Sequence, residues 1–406
     1  MYIKRHIERV LTSAINEKGA LCVTGARQVG KTTVLKMLFK DHRDLTLDDS
    51  RLLRLALELP EEFFEQFIPP VFIDEIQYAP SLFPYIKMYI DKTGVKGAFL
   101  LSGSQRYEMM SNVTESLAGR INLIDLHGFS MREIKGDDFY DEFLPTQEYL
   151  SKRKPKKIKP GDIWDNIWRG FFPEIVSDGT EWTRFYSSYI RTYLDRDVSK
   201  LAQVGDLLKF EKFMTSLAAR TGQLLNIADL AKDTGISPQT ADKWLSVLIA
   251  SNLVYILKPY HNNIHKRLIK TPKVYFMDTG LAAYLVGWDN SRVLQNGAMS
   301  GAIFETFVIS EIIKSWTNAN GVTPNMHFYF YRDKDGNEID LLINRSGTLY
   351  PIEVKKHINC SESDITAFKQ LDKIPGVKRG EGCVICTADD VLPITKTDKA
   401  IGVCYI

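Results

Sequence analysis

Only five cysteines occur in 406 residues, too few to staple a chain of this size, and they are expected to stay reduced. Cys383 and Cys386 form one Cys-x-x-Cys, but no second pair of ligands stands nearby. A zinc site is therefore not expected, and Cys383-Val384-Ile385-Cys386 reads as a buried strand. Charge of one sign is lacking too: 52 Lys+Arg against 50 Asp+Glu leave a net of +2. Any nucleic-acid surface must then be local rather than spread over the molecule. No apolar run approaches the length of a membrane span, and the start from Met1 to His6 has no signal-peptide core, so the expectation is a cytoplasmic protein with no membrane partner. His261, His265 and His357 have no metal-ligand spacing to one another or to the acids. The composition, 44% hydrophobic and 25% charged, is that of a globular protein long enough for two or three domains.

Gly25-Ala26-Arg27-Gln28-Val29-Gly30-Lys31-Thr32-Thr33 fits the phosphate-loop pattern of Gly, four residues, then Gly-Lys-Thr. A short apolar strand, Ala20 to Thr24, precedes it and a helical pattern from Val34 follows. Glycines let successive N–H groups turn inward around an anion, and the helix N-terminus adds the positive end of its dipole. Residues Gly25, Arg27, Gln28, Val29, Gly30, Lys31, Thr32 and Thr33 are thus expected to line a nucleotide. Lys31 would reach the β- and γ-phosphates of ATP, and the Thr32 hydroxyl would hold Mg2+.

Pro70-Val71-Phe72-Ile73-Asp74-Glu75 is a hydrophobic strand ending in two acids. Asp74 is expected to orient the magnesium shell and Glu75 to polarise the attacking water. Ala98 to Gln105 reads as another strand with a small polar tip, where Ser104, with Ser102 second, would sense the γ-phosphate. Arg120, in Ser116-Leu117-Ala118-Gly119-Arg120, has two readings. It reaches the γ-phosphate of a neighbouring subunit, which would make the protein a homo-oligomer, or it closes a surface salt bridge.

These stretches resemble the bacterial and archaeal ATP-binding proteins that join an AAA-type ATPase to a C-terminal domain of unknown function (DUF4143-type). Ile73-Asp74-Glu75-Ile76-Gln77, Leu101-Ser102-Gly103-Ser104, Gly170-Phe171-Phe172-Pro173-Glu174, Asp278-Thr279-Gly280-Leu281 and Ile352-Glu353-Val354-Lys355 carry the likeness beyond the loop. The resemblance implies ATP binding, a magnesium cofactor and an AAA-type parallel sheet. It implies no settled biological role.

The acids Glu133, Asp137, Asp138, Asp141, Glu142 and Glu148 run into the basic stretch Lys152 to Pro160, which reads as a solvated lid loop rather than a phosphate-backbone contact. A long amphipathic helix is expected from Trp182 to Leu201. Ile227 to Thr234, stopped by Gly235, and Gln239 to Ala250, capped by Ser237-Pro238, form a helix-turn-helix. A wing would follow. The second helix presents Gln239, Thr240, Asp242 and Lys243, a nearly neutral set, whereas the wing gathers His265, Lys266, Arg267, Lys270 and Lys273. DNA contact and protein packing remain equal readings of this unit.

Near the C-terminus, Glu305 is the odd polar member of an apolar helix, Glu338 to Ile343 is a strand carrying Asp340, and Leu349 to Lys356 is a strand on which Glu353 and Lys355 share a face. Glu305, Asp340, Glu353 and Lys355 resemble the restriction-endonuclease-like nuclease core. There the acids bind Mg2+ or Mn2+ beside the scissile phosphate and the lysine helps generate or position hydroxide. A cross-strand charge pair is the plainer reading.

The expected architecture is α/β multidomain. It comprises an AAA-type phosphate-loop parallel sheet with a helical lid over 1–200, a winged helix over 201–290, and a restriction-endonuclease-like α/β domain over 291–406. The expected function is magnesium-dependent ATP hydrolysis coupled to a nuclease-like module acting on DNA. The rival is a nucleotide-dependent switch whose C-terminal domain binds a partner and cleaves nothing. A small-molecule kinase shares the loop but would not need two further domains.

Overall fold

A computed structural model describes residues 2–104, 117–193, 207–260 and 270–406. Five strands, β1 Ala20–Thr24, β2 Arg43–Thr46, β3 Val71–Asp74, β4 Phe99–Gly103 and β5 Ile121–Asp125, form a parallel sheet in the order β2-β3-β4-β1-β5. β1 is buried at every position because helices cover both faces, as parallel sheets require. Parallel pairing puts every strand's C-terminal end on one edge. β4 lies between β1 and β3, so the serine tip of β4 falls between the phosphate loop and the two acids.

Two glycines are needed where the loop leaves β1. A Cβ on Gly25 would lie 2.1 Å from the Leu126 carbonyl, and Gly30 caps the helix Lys31–Leu38 at φ +92°, a left-handed backbone that glycine adopts at no steric cost. The first helix covers Glu8–Ala14.

The stretch from 133 to 160 is not simply a solvated loop. Ser130 and Glu133 form a capping box, and the Glu133 carboxylate is fully buried against Arg5. Arg153 is buried on Asp137 at 2.8 Å and also donates to the Cys404 carbonyl. These charges hold the N-terminal segment and the C-terminus against the connector. Composition alone could not separate them from their exposed neighbours.

The helix from Trp182 is described to Tyr193, and Leu194 to Leu201 lie outside the described residues. After it come the helix Leu207–Ala218, β6 Gln223–Leu224, the helices Ile227–Thr234 and Pro238–Ala250, and then β7 Val254–Pro259 and β8 Lys273–Phe276. Asn226 and Ser237 cap the two middle helices, and Ala241, Trp244, Leu245 and Leu248 face inward. β8 pairs antiparallel with both β6 and β7. His265, Lys266 and Arg267 lie outside the described residues.

The remaining strands are β9 Phe328–Arg332, β10 Glu338–Arg345, β11 Thr348–Val354, β12 Lys378–Arg379, β13 Gly382–Cys386, β14 Leu392–Pro393 and β15 Asp398–Gly402. β7 runs parallel to β9, with Lys258 opposite Tyr329, which fuses the middle and C-terminal strands into one ten-stranded sheet. That sheet crosses the boundary expected at 290/291. Against it lies the 21-residue helix Ser300–Asn320, about 32 Å long at 1.5 Å per residue. The residue that ends it reaches the five-stranded parallel sheet, where the Asp125 amide donates to the Gly321 carbonyl at 2.8 Å. Among the described residues no helix is long and apolar enough to cross a membrane.

Candidate nucleotide site and C-terminal acid cluster

The loop, the acids and the serine tip meet at the C-terminal edge of the parallel sheet. Thr32 donates to Asp74 Oδ2 at 2.7 Å, while Asp74 Oδ1 takes the Glu75 amide at 3.1 Å and the Ser102 hydroxyl. Lys31 is buried, with its ammonium on the carbonyls of Gly25 and Ala26 at 3.0 and 2.8 Å. Glu75 sits in the left-handed region at φ 56°. Burial raises its carboxyl above the usual range, and the charges of Lys31 and Arg27 oppose that rise. Ser104 is buried and 3.5 Å from the Gln77 amide, which also donates to Glu75. Arg27 donates to the Tyr78 hydroxyl at 3.2 Å, and Gln28 adopts φ 60° within the loop.

A cavity of about 830 Å3 opens over this edge, lined by Arg27, Gln28, Gly30, Lys31, Thr32, Thr33, Asp74 and Glu75 together with Arg5, Pro173 and Glu174. Its volume falls in the range of small-molecule sites. Val29 itself is buried behind it, and its carbonyl accepts from Arg5 at 2.9 Å. Sequence reasoning missed Arg5. One arginine holds the loop, the His127 carbonyl at 2.6 Å and Glu133 at 2.9 Å; no local pattern in a seven-residue N-terminal stretch announces such a role.

Arg120 stands elsewhere. It precedes β5 beside Ala20, at the edge of the sheet opposite the loop, about 16 Å away along a five-residue strand. Its guanidinium takes both carboxylate oxygens of Asp91. The surface salt bridge is what this chain shows, and Arg120 does not reach its own chain's nucleotide site.

The C-terminal acids converge. The β10–β11 register sets Leu341 against Ile352, which brings Asp340 beside Glu353, and Asp340 Oδ2 accepts the Val354 amide at 3.0 Å. Glu305 enters from the long helix and accepts the Tyr275 hydroxyl at 2.6 Å. Lys355 pairs with Glu353 at 2.7 Å, and the other Glu353 oxygen is buried without a partner among the described residues. β11 ends at Val354, so His357 is not carried on the strand face.

Lys273, assigned by sequence to the wing's basic patch, is instead 3% exposed and sits among these acids. Its ammonium lies 2.9 Å from Glu305, 2.6 Å from Glu338 and 3.4 Å from Asp340. Burial works against its charge, but Tyr275 and the acids hold its pKa well above the ordinary value. Burial and then Asp340 push Glu353 up to about 9 and Glu305 to about 7. The donor set expected for Mg2+ (Glu305, Asp340, Glu353) therefore does not fit a divalent ion as it stands, since an ammonium already bridges two of its three members. Among the described residues no group of three or more His, Cys, Asp or Glu is arranged to hold a metal.

The N-terminal parallel sheet, with its loop and two acids at one edge, has the arrangement of a phosphate-loop fold. Residues 17–135 match the family model of the AAA domain, 161–292 that of a domain of unknown function (DUF8612), and 300–406 that of a domain of unknown function (DUF4143). The matched stretches are thus similar, in order along the chain, to an AAA domain and to two domains of unknown function. It is 29% identical over 410 residues to uncharacterised proteins of Mycobacterium bovis and Mycobacterium tuberculosis, covering 97% of this chain and 85% of each relative. Similar solved structures include a Walker-type ATPase of Pyrococcus abyssi, with 14% identity, 70% of this chain, 96% of that chain and a TM-score of 0.43. RuvB of Thermotoga maritima is another, with 13% identity, 61% of this chain, 88% of that chain and a TM-score of 0.30.

Proposed function

We propose that the chain is a magnesium-dependent ATPase whose nucleotide cycle acts on a non-cleaving C-terminal module. One observation carries the reading: Thr32 and Asp74 are in contact on the cavity wall, beside Lys31 and Glu75. Their hydroxyl and carboxylate oxygens are hard donors suited to Mg2+. When bound, that ion neutralises charge developing on the phosphates. Lys31 exchanges the Gly25 and Ala26 carbonyls for phosphate oxygens, and the inward amides of the loop hold the remaining charge. Glu75, on its left-handed corner, orients the attacking water, and Ser104 reports on the terminal phosphate. Calorimetry of ATP with magnesium and a phosphate-release assay test this; folded protein that takes up no ATP would overturn it.

Action on DNA as a nuclease is the second reading, and the meeting of Glu305, Asp340, Glu353 and Lys355 favours it. Magnesium-dependent nicking of plasmid, lost in Asp340→Ala and Lys355→Ala, would establish it. No nicking in magnesium or manganese, with or without ATP, would favour the switch. The exposed residues of the helix Pro238–Ala250 include Gln239, Asp242, Lys243 and Ser246, a surface without the excess of positive charge that phosphate contacts require. A protein partner therefore suits that unit better. Assembly through Arg120 would be seen as ATPase activity that rises with protein concentration and is lost in Arg120→Ala.

A further inference from the structure

The C-terminal acids are arranged around a lysine. Lys273 arrives on β8, from the middle of the chain, while Glu305 comes from the long helix, Glu338 and Asp340 from β10, and Glu353 from β11. An ammonium has three donors, and this one meets three carboxylates within 3.4 Å. Arg332 neutralises the other Glu338 oxygen at 3.0 Å, and Lys355 takes Glu353. Among the described residues Lys273 is the cation that Glu305, Glu338 and Asp340 share, and deleting it would leave only Glu338 of the three with a cation, Arg332. A buried charge left without its partner is strongly destabilising, a cost that a bound counter-ion would relieve.

We propose that Lys273 is the resident cation of this site, and that Glu305, Asp340 and Glu353 accept a divalent metal only when that ammonium is removed. A second observation points to latent metal-binding capacity. Among the described residues one Glu353 oxygen is buried and unpartnered, on a residue 8% exposed, beside Asp340, so a ligand oxygen stands there without a described protein donor. Six oxygens satisfy magnesium or manganese, and removal of Lys273 takes the ammonium off one oxygen each of Glu305 and Asp340, while the Tyr275 hydroxyl stays on Glu305 and the Val354 amide on the other oxygen of Asp340. The inference is independent of the nucleotide site.

The test is Mn2+ binding to the full chain without nucleotide, followed by electron paramagnetic resonance. Wild type should bind no Mn2+ that Asp340→Asn removes. Lys273→Ala should gain one site at least about tenfold tighter than any in wild type, and the Lys273→Ala/Asp340→Asn double variant should lose it. Lys273→Arg, which keeps the charge, should gain nothing. A wild-type Mn2+ site abolished by Asp340→Asn would overturn the proposal, as would a folded Lys273→Ala with no new site. Should Lys273→Ala fail to fold, Lys273→Met, which keeps the stem and drops the charge, is read by the same two criteria, and the wild-type measurement decides alone if both fail.

Discussion

Thr24 donates to Asp125 at 2.9 Å across the seam between β1 and β5, immediately before the phosphate loop begins. The other oxygen of that carboxylate takes the amide and hydroxyl of Thr323 at 3.0 and 2.8 Å. Thr323 follows the C-terminal end of the helix Ser300–Asn320, whose first turns carry Glu305. A buried pair on the same helix, Glu311 with Lys314, grips the Met131 amide and the Phe129 carbonyl. The parallel sheet and the C-terminal acids are therefore joined by one helix with hydrogen bonds at its end nearer that sheet.

At the nucleotide edge, Lys31→Ala should abolish ATP binding, because its buried ammonium, now on the Gly25 and Ala26 carbonyls, is the group placed to meet the β- and γ-phosphates. Glu75→Gln should keep binding and lower turnover by about 10²–10⁴-fold, the contribution of a positioned general base. Calorimetry and phosphate release separate the two. Normal hydrolysis by Glu75→Gln would remove Glu75 from the mechanism.

Arg5→Ala should destabilise the protein by about 3–5 kcal/mol, since it strands the buried Glu133 carboxylate and leaves the Val29 and His127 carbonyls without their donor. Arg5→Lys should recover little, because one ammonium cannot reproduce a planar fork with three separate partners. The midpoint of urea unfolding reads both. Equal midpoints for wild type and Arg5→Ala would show that the pair contributes nothing.

Legibility followed the range of the interaction. The phosphate loop, Asp74 with Glu75, and the strand pattern around Glu353 could be read directly, because each is local and fixed by backbone geometry. Lys273 could not. It follows Lys270 in a basic stretch, and only the pairing of β8 with β6 and β7 and of β7 with β9 carries it into the acids. Arg5 and Asp125 fail for the same reason, since their partners lie more than a hundred residues away. One missed signal was available: Glu311 and Lys314, three apart in an otherwise apolar helix, already suggest a buried ion pair.

The acid cluster sets a pH dependence. Glu353 and Glu305 have folded-state values near 9 and 7 against an ordinary 4.5, so the folded chain holds protons that the unfolded chain releases. Their contribution to stability is complete below the unfolded value and is lost as pH rises through about 7 and then about 9. Melting temperature should fall across that window, and Glu353→Gln, which cannot ionise, should flatten its alkaline part. An unchanged slope in Glu353→Gln would assign the loss to other groups.

The last prediction concerns the long helix. A link between two sites requires an element that both of them bias, and Asp125 is where the helix Ser300–Asn320 meets the strand leading into the loop. In wild type, ATP with magnesium should slow amide exchange both in Gly25 to Thr33 and along 300–320. Asp125→Ala leaves the Thr24 hydroxyl and the Thr323 amide unsatisfied, a cost of about 1–3 kcal/mol. It should retain ATP-dependent protection of the loop and lose it in the helix. Thr323→Val, which removes the Thr323 hydroxyl donor to Asp125, should give an intermediate result. Protection that reaches the helix undiminished in Asp125→Ala would mean that the signal travels through Glu311 and Lys314, and Glu311→Gln would then be the variant that breaks it.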